Sequence, residues 1–162
     1  MLRICFVCLG NICRSPIGEG VLRHLLRGAG LEHAVEVDSA GTAGYHTGEL
    51  PDARARAAGK RAGIEVGGRA RQFRRADFER FDYVLAMDRN NYEDLLKLAP
   101  DAAAKSKVHL LRSFDPAAPE GASVPDPYYG DETDFDDVVT ICLAACKPLL
   151  ARLRQEHALS GS

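Results

Sequence analysis

The sequence predicts an α/β protein: a three-layer sandwich whose central four-stranded parallel sheet carries helices on both faces. Three observations lead there. Short apolar runs alternate with amphipathic helical segments, no repeat or low-complexity stretch interrupts them, and 162 residues suffice for one good core. The composition, 46% hydrophobic and 27% charged with formal net charge −2, is that of an ordinary soluble globular chain. Such a near-neutral balance argues against a general nucleic-acid binder. The densest basic stretch, RARQFRR (69–75), reads as a solvated loop.

The elements follow in order. LRICFV (2–7) is an apolar run fitting a buried strand. SPIGEGVLRHLLRGAG follows with Ile17, Val21, Leu22, Leu25 and Leu26 at helical spacing. Ser15 is read as its N-cap, Pro16 as its first helical residue, and Gly28 or Gly30 as its stop. AVEVDS (34–39) alternates as a strand, and the alanine-rich 51–63 reads as a helix closed by Gly63. RADFERF is expected to be one helical turn, DYVLAM (82–87) a strand, and NNYEDLLKLAP a helix closed by Pro100. KVHLLRSF (107–114) is taken as the fourth strand. The Pro- and Gly-rich segment 115–131 is a loop, and loops of that length are usually functional or disordered. The last helix has acids at its start and arginines late, which suits the macrodipole, and Pro148 should kink it. One domain over 1–157 is expected, with a frayed tail at 158–162.

Five cysteines without a secretory signal read as free thiols, not a disulfide framework. Cys5 and Cys8 have C-x-x-C spacing, but on a strand they point to opposite faces, and no second pair completes a zinc site. Cys142 and Cys146 lie four apart on the apolar face of the last helix, as buried core thiols. No stretch approaches the length of a membrane span, so the chain is read as soluble and cytoplasmic.

Chemistry concentrates in CLGNICRS (8–15), where a cysteine precedes an arginine by six residues. The same spacing recurs between Cys146 and Arg152, so spacing alone decides nothing. Context does. Cys8 ends a buried strand, Gly10 and Asn11 can adopt left-handed backbone, and Ser15-Pro16 opens a helix. Strand, curved loop and helix N-terminus together make an anion cradle, and Arg14 adds a planar fork for phosphate oxygens. Cys146 lies mid-helix, where the backbone amides are already spent on the ladder. In an α/β sheet, ligands bind beyond the carboxyl ends of the strands, so Cys8, Ser39, Asp88 and the 115–131 loop should converge.

A thiolate is the nucleophile, and positive surroundings favour it. An ordinary thiol is about 3% ionised at pH 7, so complete ionisation gains only about 30-fold. Most of the acceleration must come from holding the phosphoryl group in line and stabilising its charge. A carboxyl group must also reach the leaving oxygen, and Asp88, Asp115 and Asp126 tie on sequence alone.

CLGNICRSP together with DPYYG resembles the low-molecular-weight protein tyrosine phosphatase family, as do VDSAGT (37–42), ARQF (70–73), FDYVLAMD (81–88), DPYYGDETDF (126–135) and the final helix, in order over nearly 2–155. The resemblance implies that Cys8 attacks phosphorus while Asp126 protonates the departing tyrosine oxygen, after which water activated by Asp126 hydrolyses the phosphocysteine. Arg14 would bind the phosphoryl oxygens with the loop residues Leu9, Gly10, Asn11, Ile12 and Cys13. Ser15 would donate to the Cys8 sulfur, and Ser39 would hold Asn11. Tyr128 and Tyr129 would wall a slot too deep for phosphoserine, with Tyr45 opposite. Cys13 would be a resolving thiol, forming a disulfide with oxidised Cys8. No metal or cofactor is implied.

Rival readings fit less well. An arsenate reductase would need a relay cysteine pair mid-chain, and none lies between Cys13 and Cys142. An arginine phosphatase is expected to carry threonine where Ile12 stands. A phosphotyrosine-binding module would be expected to lack Cys8, Arg14 or Asp126, and a nucleotide P-loop would need a G-x-x-x-x-G-K-[ST] run that does not occur. The expected partner is a phosphotyrosine-containing protein, with no nucleic acid or membrane, and the chain is expected to be monomeric or weakly self-associating.

Overall fold

Leu2–Cys8 forms β1, and its residues Ile4 to Cys8 are all buried. An apolar run hidden on both faces belongs in the middle of a parallel sheet. β2 (Val35–Gly41) and β3 (Tyr83–Ala86) flank it, and β4 (Val108–Leu110) completes the order β2-β1-β3-β4 with every pairing parallel. The structure is a computed structural model and describes residues 1–161.

Side-chain alternation along β1 builds the two outer layers. Ile4, Phe6 and Cys8 face a core shared with α1 (Arg14–Gly28), α2 (Ala53–Arg61) and the long α6 (Glu132–Glu156). Cys5 and Val7 face the opposite core, with Phe78 of α3 (Asp77–Arg80), Leu95 of α4 (Arg89–Leu98) and Ala104 of α5 (Ala102–Lys105). The expected opposition of Cys5 and Cys8 is therefore observed. Each fully buried Phe or Leu in these layers contributes about 1.5–3 kcal/mol by leaving water.

Several details differ from the sequence reading. The fourth strand stops at Leu110, and Leu111–Phe114 forms a 3-10 turn closed by the Ser113 hydroxyl donating to the Leu110 carbonyl. Leu111 and Phe114 remain buried, so the turn preserves the apolar pattern of a strand. α5 was not foreseen; four residues carry no periodicity, although Asp101 caps them through the Ala104 amide. α1 begins at Arg14 with Cys13 at its N-cap position and no side-chain cap, so Ser15 is already helical. Pro148 lies inside an unbroken α6. Beyond α6, Ala158 takes a left-handed φ of 51° and Leu159 donates back to the Arg154 carbonyl, a Schellman closure that lays Leu159 on the core. Leu159 of the 158–162 tail thus lies against the core, while Ser162 lies outside the described residues.

The strand order positions the site. From β1 the chain crosses to β2 on one side and then to β3 on the other, so β1 and β3 diverge at a switch point. Cys8 ends one of these strands and Asp88 follows the other. Gly41, ending β2, is pressed so close beneath the intervening loop that a Cβ there would lie 2.6 Å from the Leu9 carbonyl oxygen.

Candidate active site

Residues 9–13 connect β1 to α1 in a tight curve. Asn11 is the bend, with a left-handed φ of 58°. A buried side chain in that conformation needs local partners, and Asn11 has three. Its Nδ2 donates to Ser15 Oγ at 2.7 Å and Ser39 Oγ at 3.0 Å, while its Oδ1 accepts the Arg71 amide at 3.0 Å. Its own amide points at Cys8 Sγ, 3.3 Å away. Ser15 Oγ also lies 3.0 Å from that sulfur. With Asn11 occupying an acceptor site on the hydroxyl, the one Ser15 proton has two acceptors in reach, the sulfur at 3.0 Å and the Ala40 carbonyl at 3.4 Å.

Arg14 is 3% exposed, and a buried guanidinium needs charge partners. One Nη donates to Asp88 Oδ2 at 2.7 Å and to the Val124 carbonyl at 3.1 Å. The other faces Asp126 Oδ2 at 3.7 Å. Burial opposes the Arg14 charge, but Cys8, Asp88 and Asp126 outweigh it and hold its pKa above the ordinary value.

The three aspartates that tied on sequence are separated by their surroundings. Asp88 Oδ1 accepts the Asn91 amide at 2.7 Å to cap α4 and its Oδ2 takes Arg14, so both oxygens are committed. Asp115 accepts the Ala117 amide in a local turn. Asp126 shares a cavity of about 310 Å³ with Cys8, and its side chain is 48% exposed.

That cavity is floored by Cys8, Gly10, Cys13 and Arg14, with Leu9 and Ile12 on its lining. Tyr45, Tyr128 and Tyr129 stand around it. Tyr128 and Tyr129 pack edge to face at 4.9 Å, and Tyr129 is 96% exposed. Asn11, Ser15 and Ser39 do not reach this cavity and instead brace the loop from behind. The Arg14 charge beside Cys8, the Asn11 amide turned to the sulfur and the aromatic walls suit a tetrahedral oxyanion carrying a ring.

Burial raises the other thiols. Cys13 is pushed up to about 12 by burial, then by the charges of Asp52, Cys8 and Asp126. Cys142 also reaches about 12 through burial.

Sequence reasoning missed four contributors. Glu19 is buried and accepts the Ser39 hydroxyl at 2.7 Å, extending the brace behind Asn11. Burial raises its pKa against the opposing pull of Ser39 and Arg23. Its signal was available, because Ser15 and Glu19 are four apart on one helix face. Asp88 was read as one of the converging residues and as a candidate acid, but its role as the partner of Arg14 was missed. His46 lines the cavity with Glu49 at 2.8 Å from its Nδ1, and a Cβ on Gly10 would meet its ring at 3.0 Å. Arg71 supplies the amide that Asn11 accepts. No local spacing announces these last two.

The fold and site define an α/β scaffold with a cysteine-bearing loop between its first strand and first helix, at the carboxyl end of the sheet. The family model for low molecular weight phosphotyrosine protein phosphatase matches residues 3–159. A low molecular weight protein-tyrosine-phosphatase of Streptomyces coelicolor is 46% identical over 155 residues, covering 95% of this chain and 94% of that one. The low molecular weight phosphotyrosine protein phosphatase of Homo sapiens is 42% identical over 150 residues, covering 92% and 94%. A crystal structure of a protein tyrosine phosphatase from Entamoeba histolytica superposes with a TM-score of 0.92 at 40% identity, covering 98% of this chain and all of that one. The chain belongs to the low molecular weight phosphotyrosine protein phosphatase family. It is a phosphatase.

The Asn11 brace predicts a graded response. Asn11→Ala leaves buried partners unsatisfied and keeps the left-handed strain, costing about 2–4 kcal/mol. Asn11→Gly relieves the strain alone and should be the milder variant by about 1 kcal/mol. Urea unfolding of both checks this; equal midpoints would show that the left-handed turn carries no cost.

Proposed function

We propose that this phosphatase hydrolyses phosphotyrosine in proteins, and small aryl phosphates, through a phosphocysteine on Cys8 without a metal ion. One observation carries the reading: Cys8, Arg14 and Asp126 face a single cavity with tyrosines around its mouth. The phosphoryl oxygens sit against the loop amides and the Arg14 fork. Cys8 Sγ attacks phosphorus in line, the bond to the aryl oxygen breaks, and Asp126 gives its proton to that oxygen. Water then attacks phosphorus and passes a proton to Asp126, and the sulfur leaves as a thiolate to which Ser15 donates.

Positioning is asked to supply most of the rate. Asp88 and the Val124 carbonyl hold one Nη of Arg14, which leaves its fork directed at the floor. Leu9 to Cys13 form the cradle, Ser39 steadies Asn11, and Tyr45, Tyr128 and Tyr129 grip the substrate ring. Residues 1–157 act as one domain, in the cytoplasm, as a monomer or weakly associating species with a phosphotyrosine protein as partner. Among the described residues, no helix is long and apolar enough to cross a membrane.

Turnover of a phosphotyrosine peptide in EDTA tests the reading. Wild type should turn over at a rate EDTA does not change, and Cys8→Ser should lose at least about 10³-fold, the scale on which catalytic groups contribute. Loss of wild-type activity in EDTA, or full activity in Cys8→Ser, would contradict it.

Cys13 serves in this reading as a resolving thiol. Peroxide oxidises the Cys8 thiolate to a sulfenic acid, and the Cys13 thiolate attacks that sulfur, releasing hydroxide and forming the disulfide. With Cys13 pushed up to about 12, the attacking form is scarce at neutral pH, and its fraction rises about tenfold per pH unit. Mass spectrometry of peroxide-treated protein should show a Cys8–Cys13 crosslink whose rate of formation climbs between pH 7 and 9. No crosslink at either pH counts against a resolving role.

A further inference from the structure

The long loop carrying Asp126 is well anchored up to Val124 and sparsely beyond it. Val124 donates to the Met87 carbonyl at 2.7 Å and accepts from Arg14. From Asp126 to Gly130 the segment bonds to itself: the Tyr128 amide to Asp126 Oδ1 at 3.1 Å and the Gly130 amide to the Pro127 carbonyl at 2.9 Å. Among the described residues, one side chain donates hydrogen bonds to this stretch from elsewhere in the fold. It is Arg54, in the first turn of α2, which reaches the Tyr128 carbonyl at 3.0 Å and the Gly130 carbonyl at 3.3 Å.

Arg54 is itself held on the other side. Its Nε and one Nη grip the two oxygens of Asp52 at 3.1 and 3.0 Å, and its Cζ lies 4.6 Å from the centre of the buried Phe135 ring. The Asp52 amide donates to the Ile12 carbonyl at 2.8 Å, inside the Cys8 loop. A continuous line of bonds thus runs from Ile12 through Asp52 and Arg54 to Tyr128, whose amide fixes an Asp126 oxygen. Only a planar fork can span one carboxylate and two carbonyls at once.

We infer that Arg54, clamped by Asp52, is a positioning residue that sets the Asp126 carboxyl at its working distance from the Cys8 loop. This rests on the reading of Asp126 as the acid. A displacement of about 1 Å can cost a positioned group about 100-fold, so the strut acts on the rate without touching substrate.

The test is the dependence of kcat/KM on the leaving group, which reports the step in which Asp126 gives up its proton. Phenyl phosphate needs that proton, whereas 2,4-dinitrophenyl phosphate leaves without it. Arg54→Ala should lose about 10- to 100-fold on phenyl phosphate and no more than a few-fold on the dinitrophenyl ester. Adding Asp126→Asn to Arg54→Ala should cost little more on phenyl phosphate than Asp126→Asn alone. Arg54→Lys, which keeps the charge over Phe135 without the fork, is the second variant if the alanine form is unfolded, and it should steepen the same dependence. Arg61→Ala breaks a different ion pair between α2 and α6, with Asp136, and should leave the slope unchanged. Equal losses on both esters, or no loss, in a folded Arg54 variant would overturn the inference. Asp126→Asn alone is measured alongside: a loss that is equal on the two esters, or absent, in that variant registers failure of the underlying reading separately from any result with Arg54.

Discussion

The loop after Cys8 must reverse more tightly than ordinary residues allow, and the left-handed Asn11, whose amide points at the Cys8 sulfur, makes that reversal possible. Its buried amide group is tied to α1 through Ser15, to β2 through Ser39 and to the segment before α3 through Arg71. Three parts of the fold therefore fix one side chain, and with it the bend whose amide faces Cys8. Gly41 permits this closeness by carrying no Cβ against the Leu9 carbonyl. Glu19, four residues beyond Ser15 in α1, extends the same chain of bonds by accepting the Ser39 hydroxyl.

Electrostatics reinforces what the loop shape begins. A guanidinium as buried as Arg14 is tolerated because Asp88 meets it at 2.7 Å, and Asp88 is placed there by capping α4 immediately after β3. The parallel pairing of β1 with β3 brings Cys8 and Asp88 to the same end of the sheet. Sheet topology thereby decides an ion pair, and the ion pair decides where the cation points. The Val124 carbonyl, taking a second hydrogen bond from Arg14, joins the long loop to the same arrangement.

The strands and major helices were legible because burial on one or two faces imposes a period on the sequence. β1 was readable from the apolar run LRICFV and α1 from the spacing of Ile17, Val21 and Leu22, and both sets of apolar residues are buried from Ile4 onward. Leu111 and Phe114 misled because a buried 3-10 turn also needs apolar residues, and nothing in their order distinguishes it from a strand. The curve of the Cys8 loop was readable from Gly10 and Asn11, but its braces were not. Arg14 meets Asp88 across 74 residues and Arg54 meets Tyr128 across the same separation. Such contacts are created by the sheet order and long crossovers, which no local spacing records. The resemblance to a family supplied Asp126 where chemistry alone left three carboxylates equal.

The central claim is that the phosphoryl group passes through Cys8, and acid-quenched turnover tests it most directly. Enzyme mixed with excess aryl phosphate and quenched within its steady state should carry the mass of one phosphoryl group on the peptide containing Cys8. Asp126→Asn should also carry it, because loss of the base slows hydrolysis of the intermediate as well as its formation. Unmodified enzyme throughout turnover, or a phosphoryl group on any other residue, would contradict the account.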